Sequence, residues 1–169
     1  FSKNNRISID DLIIDGKNKI VKVDKIDLDY FDNSEKKNKF VFSRTKNNNY
    51  KLNGSLFNAD SLITNLLKSK DDQQLDIFKE NINITLNFSN VYLDKHNTVE
   101  DMNGNLRIED NKINQAKISA IFDNNKNLTF TINTNKDDEK IITLYSSKAK
   151  PLVDRYKFIK GFEGSDEGY

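Results

Sequence analysis

The sequence contains no cysteine and no tryptophan, and its 169 residues include only one proline, one methionine and one histidine. Without cysteine, a disulfide framework, a thiolate-based zinc site and a thiol nucleophile are all excluded. No apolar run approaches the roughly 18 residues that a membrane-spanning helix needs. The pattern of apolar and polar residues therefore carries most of the information about this chain.

Core-forming residues are also scarce, since 36% of the chain is hydrophobic and 31% is charged. Aromatic residues nevertheless reach 10%, and the net charge is only +1. Disordered chains combine few aromatics with high net charge, so this composition indicates a folded protein. It fits a sheet with one wetted face better than a large two-sided core. The near-neutral charge, without a dense Lys/Arg stripe, also predicts that the chain does not bind nucleic acid.

Apolar and polar residues alternate with period two along most of the chain, as in residues 81–88, "NINITLNF". Side chains alternate between the two faces of a strand, so this pattern predicts half-buried β-strands. Nine segments show it: residues 6–14, 19–30, 39–45, 50–57, 81–93, 100–110, 113–123, 127–134 and 140–146. Most of their connections are short and polar, which predicts an antiparallel meander in sequence order without a parallel pair.

Two segments have a helical pattern instead. In residues 58–69, Asn58 or Asp60 is suited to be the N-cap, and four apolar residues form one stripe: Leu62, Ile63, Leu66 and Leu67. In residues 147–158, Pro151 lies near the first helical position. The fold class that we predict is thus mainly β (α+β), with two short helices.

The two halves of the chain resemble each other. Ile7 and Ile9 match Leu86 and Phe88 at an offset of 79 residues, and each half continues through strands into a helix. This similarity predicts two repeat units, residues 1–70 and 80–158, within one fragment that spans residues 1–169. Because the chain starts at Phe1 without a signal-like segment, we expect it to be part of a longer protein.

Residues suited to catalysis are few. His96 is the only histidine and lies in the polar connection "DKHN", where a solvated side chain is the ordinary outcome. The carboxylates are numerous, but none has the spacing of a calcium loop, and no two are singled out as an acid–base pair. We therefore predict no enzymatic activity, no metal site and no cofactor.

The apolar face of the predicted strands is the best candidate site. It consists of Ile82, Ile84, Leu86, Phe88, Leu106, Ile108, Ile118, Ala120, Phe122, Leu128, Phe130 and Ile132. Burying four such side chains on one strand stabilises a fold by roughly 6–12 kcal/mol, so this face must be covered by something. The pattern leaves two possibilities open: the face packs on helices and a second sheet, or it forms an open trough that binds acyl chains.

From residue 56 onward the sequence resembles the C-terminal region of the AsmA-like family, in its YhdP-type branch and more distantly in TamB. The family repeat has a strand, a short helix and a bent segment with glycines. The matching positions are Ser147, Ala149, Leu152, Val153, Tyr156, Phe158, Gly161 and Gly164. The chain departs from that pattern at Pro151 and at "GFEGSDEG", where a pair of adjacent glycines is more usual.

This resemblance implies a long, curved antiparallel β-meander that forms a half-open groove. It implies a periplasmic segment of an inner-membrane-anchored bacterial protein, which contacts the membrane through parts outside this chain. Phospholipid acyl chains would then bind the twelve residues of the apolar face on their way between the inner and outer membranes. The alternative is a closed β-sandwich that acts as a structural or adhesin-like interaction domain without binding lipid.

A groove segment cut from a longer protein leaves a strand edge and apolar surface uncovered, so the chain should either fold its helices, within residues 59–68 and 150–158, over the trough or self-associate through it. We expect the helices to cover the trough, because their apolar side chains need apolar partners. The expectation concerns four apolar side chains that should be buried against the sheet: Leu62, Leu66, Leu152 and Tyr156.

Overall fold

The computed structural model describes residues 5–61, 78–122, 125–136, 139–148, 150 and 152–153. The strands are β1 (Arg6–Asp10), β2 (Ile13–Ile14), β3 (Ile20–Lys22), β4 (Lys25–Phe31), β5 (Lys37–Lys46), β6 (Asn49–Asn58), β7 (Ile82–Tyr92), β8 (Thr98–Glu109), β9 (Lys112–Phe122), β10 (Lys126–Thr134) and β11 (Lys140–Ser146). Each of the nine predicted segments contains a strand, so the prediction of a mainly β fold is confirmed.

Nine strands form one sheet in the order β1-β4-β5-β6-β7-β8-β9-β10-β11, and the sheet is not closed into a barrel. The remaining two, β2 and β3, pair with each other as a small separate sheet. Among the described residues there is thus no second large sheet of the kind that a β-sandwich requires. Strands that follow one another in the chain mostly lie side by side, because their connections are short.

The first two predicted strands are each broken into two. Asp11 follows β1 with a positive φ of 49°, and Val23 and Asp24 separate β3 from β4. The outer parts, β1 and β4, join the large sheet, while β2 and β3 pair separately next to the turn between them. Ile20 on β3 forms a parallel bridge with Phe78, and Val23 is fully buried.

The prediction of a wholly antiparallel sheet is wrong at one position. Strands β6 and β7 pair in parallel, with Leu52 opposite Leu86 and Gly54 opposite Phe88. A parallel pair needs a crossover connection of about a dozen residues or more, and residues 59–81 are long enough to provide one. Every other neighbouring pair in the sheet is antiparallel.

The two predicted helices lie mostly outside the described residues. Asp60 and Ser61 are helical, and so are Lys150, Leu152 and Val153. The Asn58 side-chain oxygen accepts a hydrogen bond of 3.2 Å from the Asp60 backbone N–H, as an N-cap residue does. The predicted repeat units stay a prediction.

The core lies on one face of the large sheet, in two clusters. One cluster contains Phe88, Val91, Val99 and Phe122 together with Ala59 and Leu152. The other contains Tyr50, Ile82, Ile84 and Leu86 together with Val23, and Phe78 packs against it. These two clusters place the candidate site on a single side of the sheet.

Candidate functional site

Strand register brings all twelve predicted site residues to one face of the sheet, which we call the apolar face. Residues that are directly opposite each other on neighbouring strands point to the same side. One row of such partners crosses all nine strands: Ile9, Ile26, Phe42, Leu52, Leu86, Gly104, Ile118, Phe130 and Leu144. The apolar face is therefore continuous from β1 to β11.

The twelve residues differ in how far they are buried. Eight of them belong to the buried core: Ile82, Ile84, Leu86, Phe88, Ile108, Ala120, Phe122 and Leu128. The other four are half-buried: Leu106, Ile118, Phe130 and Ile132. Two of the half-buried residues, Phe130 and Ile132, lie on β10 opposite Leu144 and Ile142 of β11. The apolar face is therefore less buried toward this edge of the sheet.

Sequence reasoning placed the site in the second half of the chain and missed the contribution of the first half. Ile26, Phe42 and Leu52 occupy the same cross-strand row as Leu86 and Phe130. Their strands show the same alternation, so the signal was present. What was missing was knowledge that β6 lies next to β7, which joins the two halves of the sheet.

At one end of the apolar face, covering residues come from the starts of the two helical segments. Ala59 and Leu152 are both 7% exposed and belong to the same cluster as Phe88 and Phe122. The expectation that Leu152 packs on the sheet is confirmed. Leu62, Leu66 and Tyr156, which belong to the same expectation, lie outside the described residues.

At the other end, Phe78 packs on two aromatic residues of the sheet. The rings of Phe42 and Tyr50 stack with centroids 4.7 Å apart, and Phe78 lies 6.0 Å from the first and 5.7 Å from the second. The Lys79 N–H donates a 2.9 Å hydrogen bond to the carbonyl of Ile20, which ties this segment to β3. Ala59 and Leu152 thus cover the apolar face at one end of the central strands, and Phe78 covers it at the other end.

Two glycines make room for large neighbours on the apolar face. A Cβ atom on Gly54 would lie 2.6 Å from both Phe40 Cβ and Phe88 Cε1. The Phe40 and Phe88 rings are 6.0 Å apart in an edge-to-face arrangement, which is favourable for aromatic pairs. A Cβ atom on Gly104 would lie 2.9 Å from Ile118 Cα, and still closer to the carbonyl oxygen of Lys117. Glycine at both positions therefore allows close packing between strands.

The two edges of the apolar face remain exposed. On β1, Ile7 is 65% exposed and Ile9 is 49% exposed. On β11, Ile142 is 61% exposed and Leu144 is 37% exposed. These side chains continue the apolar rows of the central strands, so an apolar surface is open to solvent at each side of the sheet.

The opposite side of the sheet, which we call the polar face, carries mainly amides and hydroxyls on its central strands. One of its rows runs through Asn53, Asn87, Asn103, Ser119 and Thr129. Two shallow depressions of about 410 and 510 Å³ lie here, the first lined by Asn83, Asn105 and Arg107 among others. The Arg107 guanidinium is paired with the Glu109 carboxylate. Because its side chains are mainly amides and hydroxyls, the polar face is suited to contact with water.

A partly buried polar network holds the end of β6, where the first helical segment begins. The Asp32 Oδ2 atom accepts hydrogen bonds from the side-chain amides of Asn38 (3.2 Å) and Asn58 (2.6 Å). Its Oδ1 atom accepts from the backbone N–H groups of Ser34 and Lys36. Burial raises the pKa of Asp32, but these hydrogen bonds outweigh burial and hold its pKa below the usual value. The network fixes the geometry from which the chain leaves the sheet.

Side chains suited to metal binding do not cluster in the part of the chain that the structure describes. There, no group of three or more His, Cys, Asp or Glu side chains could hold a metal ion. His96 is exposed in the turn between β7 and β8, where its backbone N–H donates to Asp94 Oδ1. Within the same described ranges, no helix is long and apolar enough to cross a membrane.

The arrangement is therefore a continuous apolar surface on an open sheet, covered at its centre and exposed at its edges. Most of the described side chains on this face are aliphatic or aromatic. No protein-family model, no curated protein and no solved structure matches this chain.

Proposed function

We propose that this chain is a segment of a hydrophobic β-groove that carries phospholipids between the inner and outer membranes of a bacterium. In this proposal the parent protein is anchored in the inner membrane, the segment lies in the periplasm, and no catalysis or cofactor is involved. The observation that carries the proposal is the apolar row from Ile9 to Leu144, which crosses nine strands and ends in exposed side chains on both edges.

An apolar surface of this extent is suited to acyl chains. Nine strands about 4.8 Å apart give a face roughly 38 Å wide. Each methylene that leaves water for such a surface contributes about 0.8 kcal/mol, so a long chain gains from contact with several strands at once. A head group at the open edge of the sheet would stay in water, where its charge is solvated.

The edge formed by β10 and β11 is the part of this face where we expect acyl chains to bind. Phe130 and Ile132 are half-buried there, next to the exposed Leu144 and Ile142. The central residues Phe88 and Phe122 already contact other parts of the chain, so lipid would have to displace those contacts. The exposed edge needs no such displacement.

A photoreactive phospholipid tests this proposal. The purified chain would be incubated with phosphatidylethanolamine that carries a diazirine near the end of one acyl chain, irradiated, and digested for peptide mass spectrometry. We expect cross-links on Phe130, Ile132, Ile142 and Leu144, and few on Thr131 or Thr143, which point to the polar face.

Strand β11 offers a matched pair of variants for the same assay. Ile142 and Ile141 are adjacent and similarly exposed, at 61% and 57%, but they point to opposite faces. Ile142→Asp should reduce cross-linking several-fold, because a carboxylate on the apolar face repels acyl chains. Ile141→Asp should leave cross-linking nearly unchanged. Equal effects of the two variants, or no cross-linking in the unaltered chain, would overturn the proposal in favour of an interaction domain that binds no lipid.

A further inference from the structure

Strand β11 differs from the other strands of the second half in being apolar on both faces. Ile142 and Leu144 point to the apolar face, opposite Ile132 and Phe130 of β10. Ile141 and Tyr145 point to the polar face, opposite Asn133 and Thr129. Ile141 and Tyr145 are 57% and 59% exposed, so the polar rows of the sheet end in large apolar side chains at this edge.

The same strand lies at the end of the sheet order. It pairs with β10 on one side, and none of the described strands pairs with it on the other. Natural edge strands are usually protected from pairing with other chains by charged side chains, proline or bulges. Residues 141–146, "IITLYS", contain neither a charge nor a proline, and their pairing with β10 has no irregularity. As far as the described residues go, this edge is therefore open to an additional strand.

We propose that β11 pairs with β11 of a second copy of this chain, antiparallel and centred on Thr143. In that register Ile142 lies opposite Leu144 of the other copy on the apolar face, and Ile141 lies opposite Tyr145 on the polar face. Thr143 lies opposite Thr143 on the two-fold axis. On each face of the sheet, apolar side chains of the two copies therefore lie opposite each other. A two-fold interface of this kind forms a closed dimer.

The other exposed edge is less suited to such pairing. Strand β1 has five residues against seven in β11, and its polar face carries Arg6, Ser8 and Asp10. Arg6 already forms a 3.4 Å ion pair with Asp27 on the neighbouring strand. Pairing through β11 buries large apolar side chains on both faces, whereas pairing through β1 buries them on one.

This pairing uses the same strand as the proposed lipid site but does not require lipid, so lipid-free protein tests it. Sedimentation velocity over a range of concentrations should show a monomer–dimer equilibrium for the unaltered chain. Thr143→Lys places two lysines opposite each other at the two-fold axis, and like charges in that position destabilise a strand pair. The variant should sediment as a monomer at concentrations where the unaltered chain is dimeric. Ser8→Lys, an exposed substitution on the polar face of the other edge, should leave the dimer intact.

Charge exchange then tests the register. Thr143→Glu alone should also be monomeric, while an equimolar mixture of Thr143→Lys and Thr143→Glu should restore the dimer, because opposite charges then meet. A single cysteine gives an independent readout, since the chain has none of its own. Directly opposite residues on antiparallel strands have Cα atoms about 4.5–5.5 Å apart, which a disulfide can span, so oxidised Thr143→Cys should form a covalent dimer.

Several results would overturn the proposal. One is a chain that stays monomeric at all concentrations. Another is a dimer that Ser8→Lys disrupts and Thr143→Lys does not, which would place the interface on β1. A third is assembly beyond the dimer that both variants disrupt, which would indicate pairing of β1 with β11 into filaments.

Discussion

The centre and the edges of the apolar face carry the same kinds of side chain but differ in their environment. Phe88 on β7 is 2% exposed, whereas Ile7 in the same cross-strand row is 65% exposed on β1. A central strand has neighbours on both sides, and here it is also covered by other parts of the chain. An edge strand has a neighbour on one side only. The same alternation therefore produces a stabilising core at the centre and an accessible surface at the edges.

Phe88→Ala should reduce stability the most, because Phe88 lies in the core at the centre of the apolar face. Phe88 contacts the rings of Phe40 and Phe57, with centroids 6.0 and 5.3 Å away. Truncating a buried phenylalanine removes its transfer free energy and leaves a cavity, at a cost of about 3–5 kcal/mol in the free energy of unfolding. Urea denaturation measures the change, and a loss below about 1 kcal/mol would mean that the centre is not the core.

Gly104→Ala tests how closely the central strands pack. The added methyl group would lie 2.9 Å from Ile118 Cα, and backbone atoms cannot easily move away. We expect a loss of about 1–3 kcal/mol by the same measurement. Gly16→Ala is the matched control, since a Cβ atom there would have nothing within 4 Å. A control that loses as much stability as Gly104→Ala would contradict the steric explanation.

Asp32→Asn tests the polar network that adjoins the covered end of the sheet. Asparagine keeps only one acceptor oxygen, so it cannot serve both the turn N–H groups and the amides of Asn38 and Asn58. Asn38 and Asn58 are buried, so leaving one of their amide donors unsatisfied should cost about 1–3 kcal/mol near pH 7.

The pH dependence of that loss follows from the lowered pKa of Asp32. A carboxylate with a lowered folded-state pKa contributes stability that is fully present above its unfolded pKa, about 3.9, and is lost as the pH falls through the folded value. The difference in unfolding free energy between the unaltered chain and Asp32→Asn should therefore be constant from pH 7 to about 5 and shrink below about pH 4. A difference that does not shrink in acid would exclude the charge of Asp32 as its source.

Ile142→Ala should have the smallest effect on stability, since it changes an edge residue that is already 61% exposed. Exposed substitutions of this kind usually change the free energy of unfolding by less than about 0.5 kcal/mol. The measurement should be made at low protein concentration, where the proposed dimer does not contribute. A loss of unfolding free energy comparable to that of Phe88→Ala would mean that Ile142 is buried in solution. The edge and the centre would then not differ in burial.

Much of the fold could be predicted because period-two alternation is a local property of the sequence. Residues 82–88 alternate without exception, and the structure buries Ile82, Ile84, Leu86 and Phe88 on one face. The face of each site residue follows from its position within its own strand. The sequence offered Asn58 or Asp60 as the N-cap of the first helix, and the structure shows Asn58 accepting the hydrogen bond from the Asp60 N–H.

Other features could not be predicted because they depend on residues far apart in the chain. The parallel pairing of β6 with β7 depends on the path of residues 59–81, on which alternation has no influence. The breaks at Asp11 and at Val23–Asp24 separate β2 and β3 from the large sheet, although both strands continue the same apolar pattern. Local pattern identifies a strand, but it does not identify the neighbour of that strand.

The sequence by itself determined that this protein is mainly β, that most of its strands are one-sided, and which residues of the second half lie on the apolar face. It could do so because successive side chains of a regular strand point to opposite faces, and the alternation shifts only at irregularities such as the end of β7, where Phe88 and Val91 are both buried in one cluster. Only the tertiary structure decided that the face is continuous across nine strands and that Phe88 is buried while Ile142 is exposed. Exposure depends on how many strands lie on each side of a residue and on what packs above it, and those contacts arise only when the whole chain is folded.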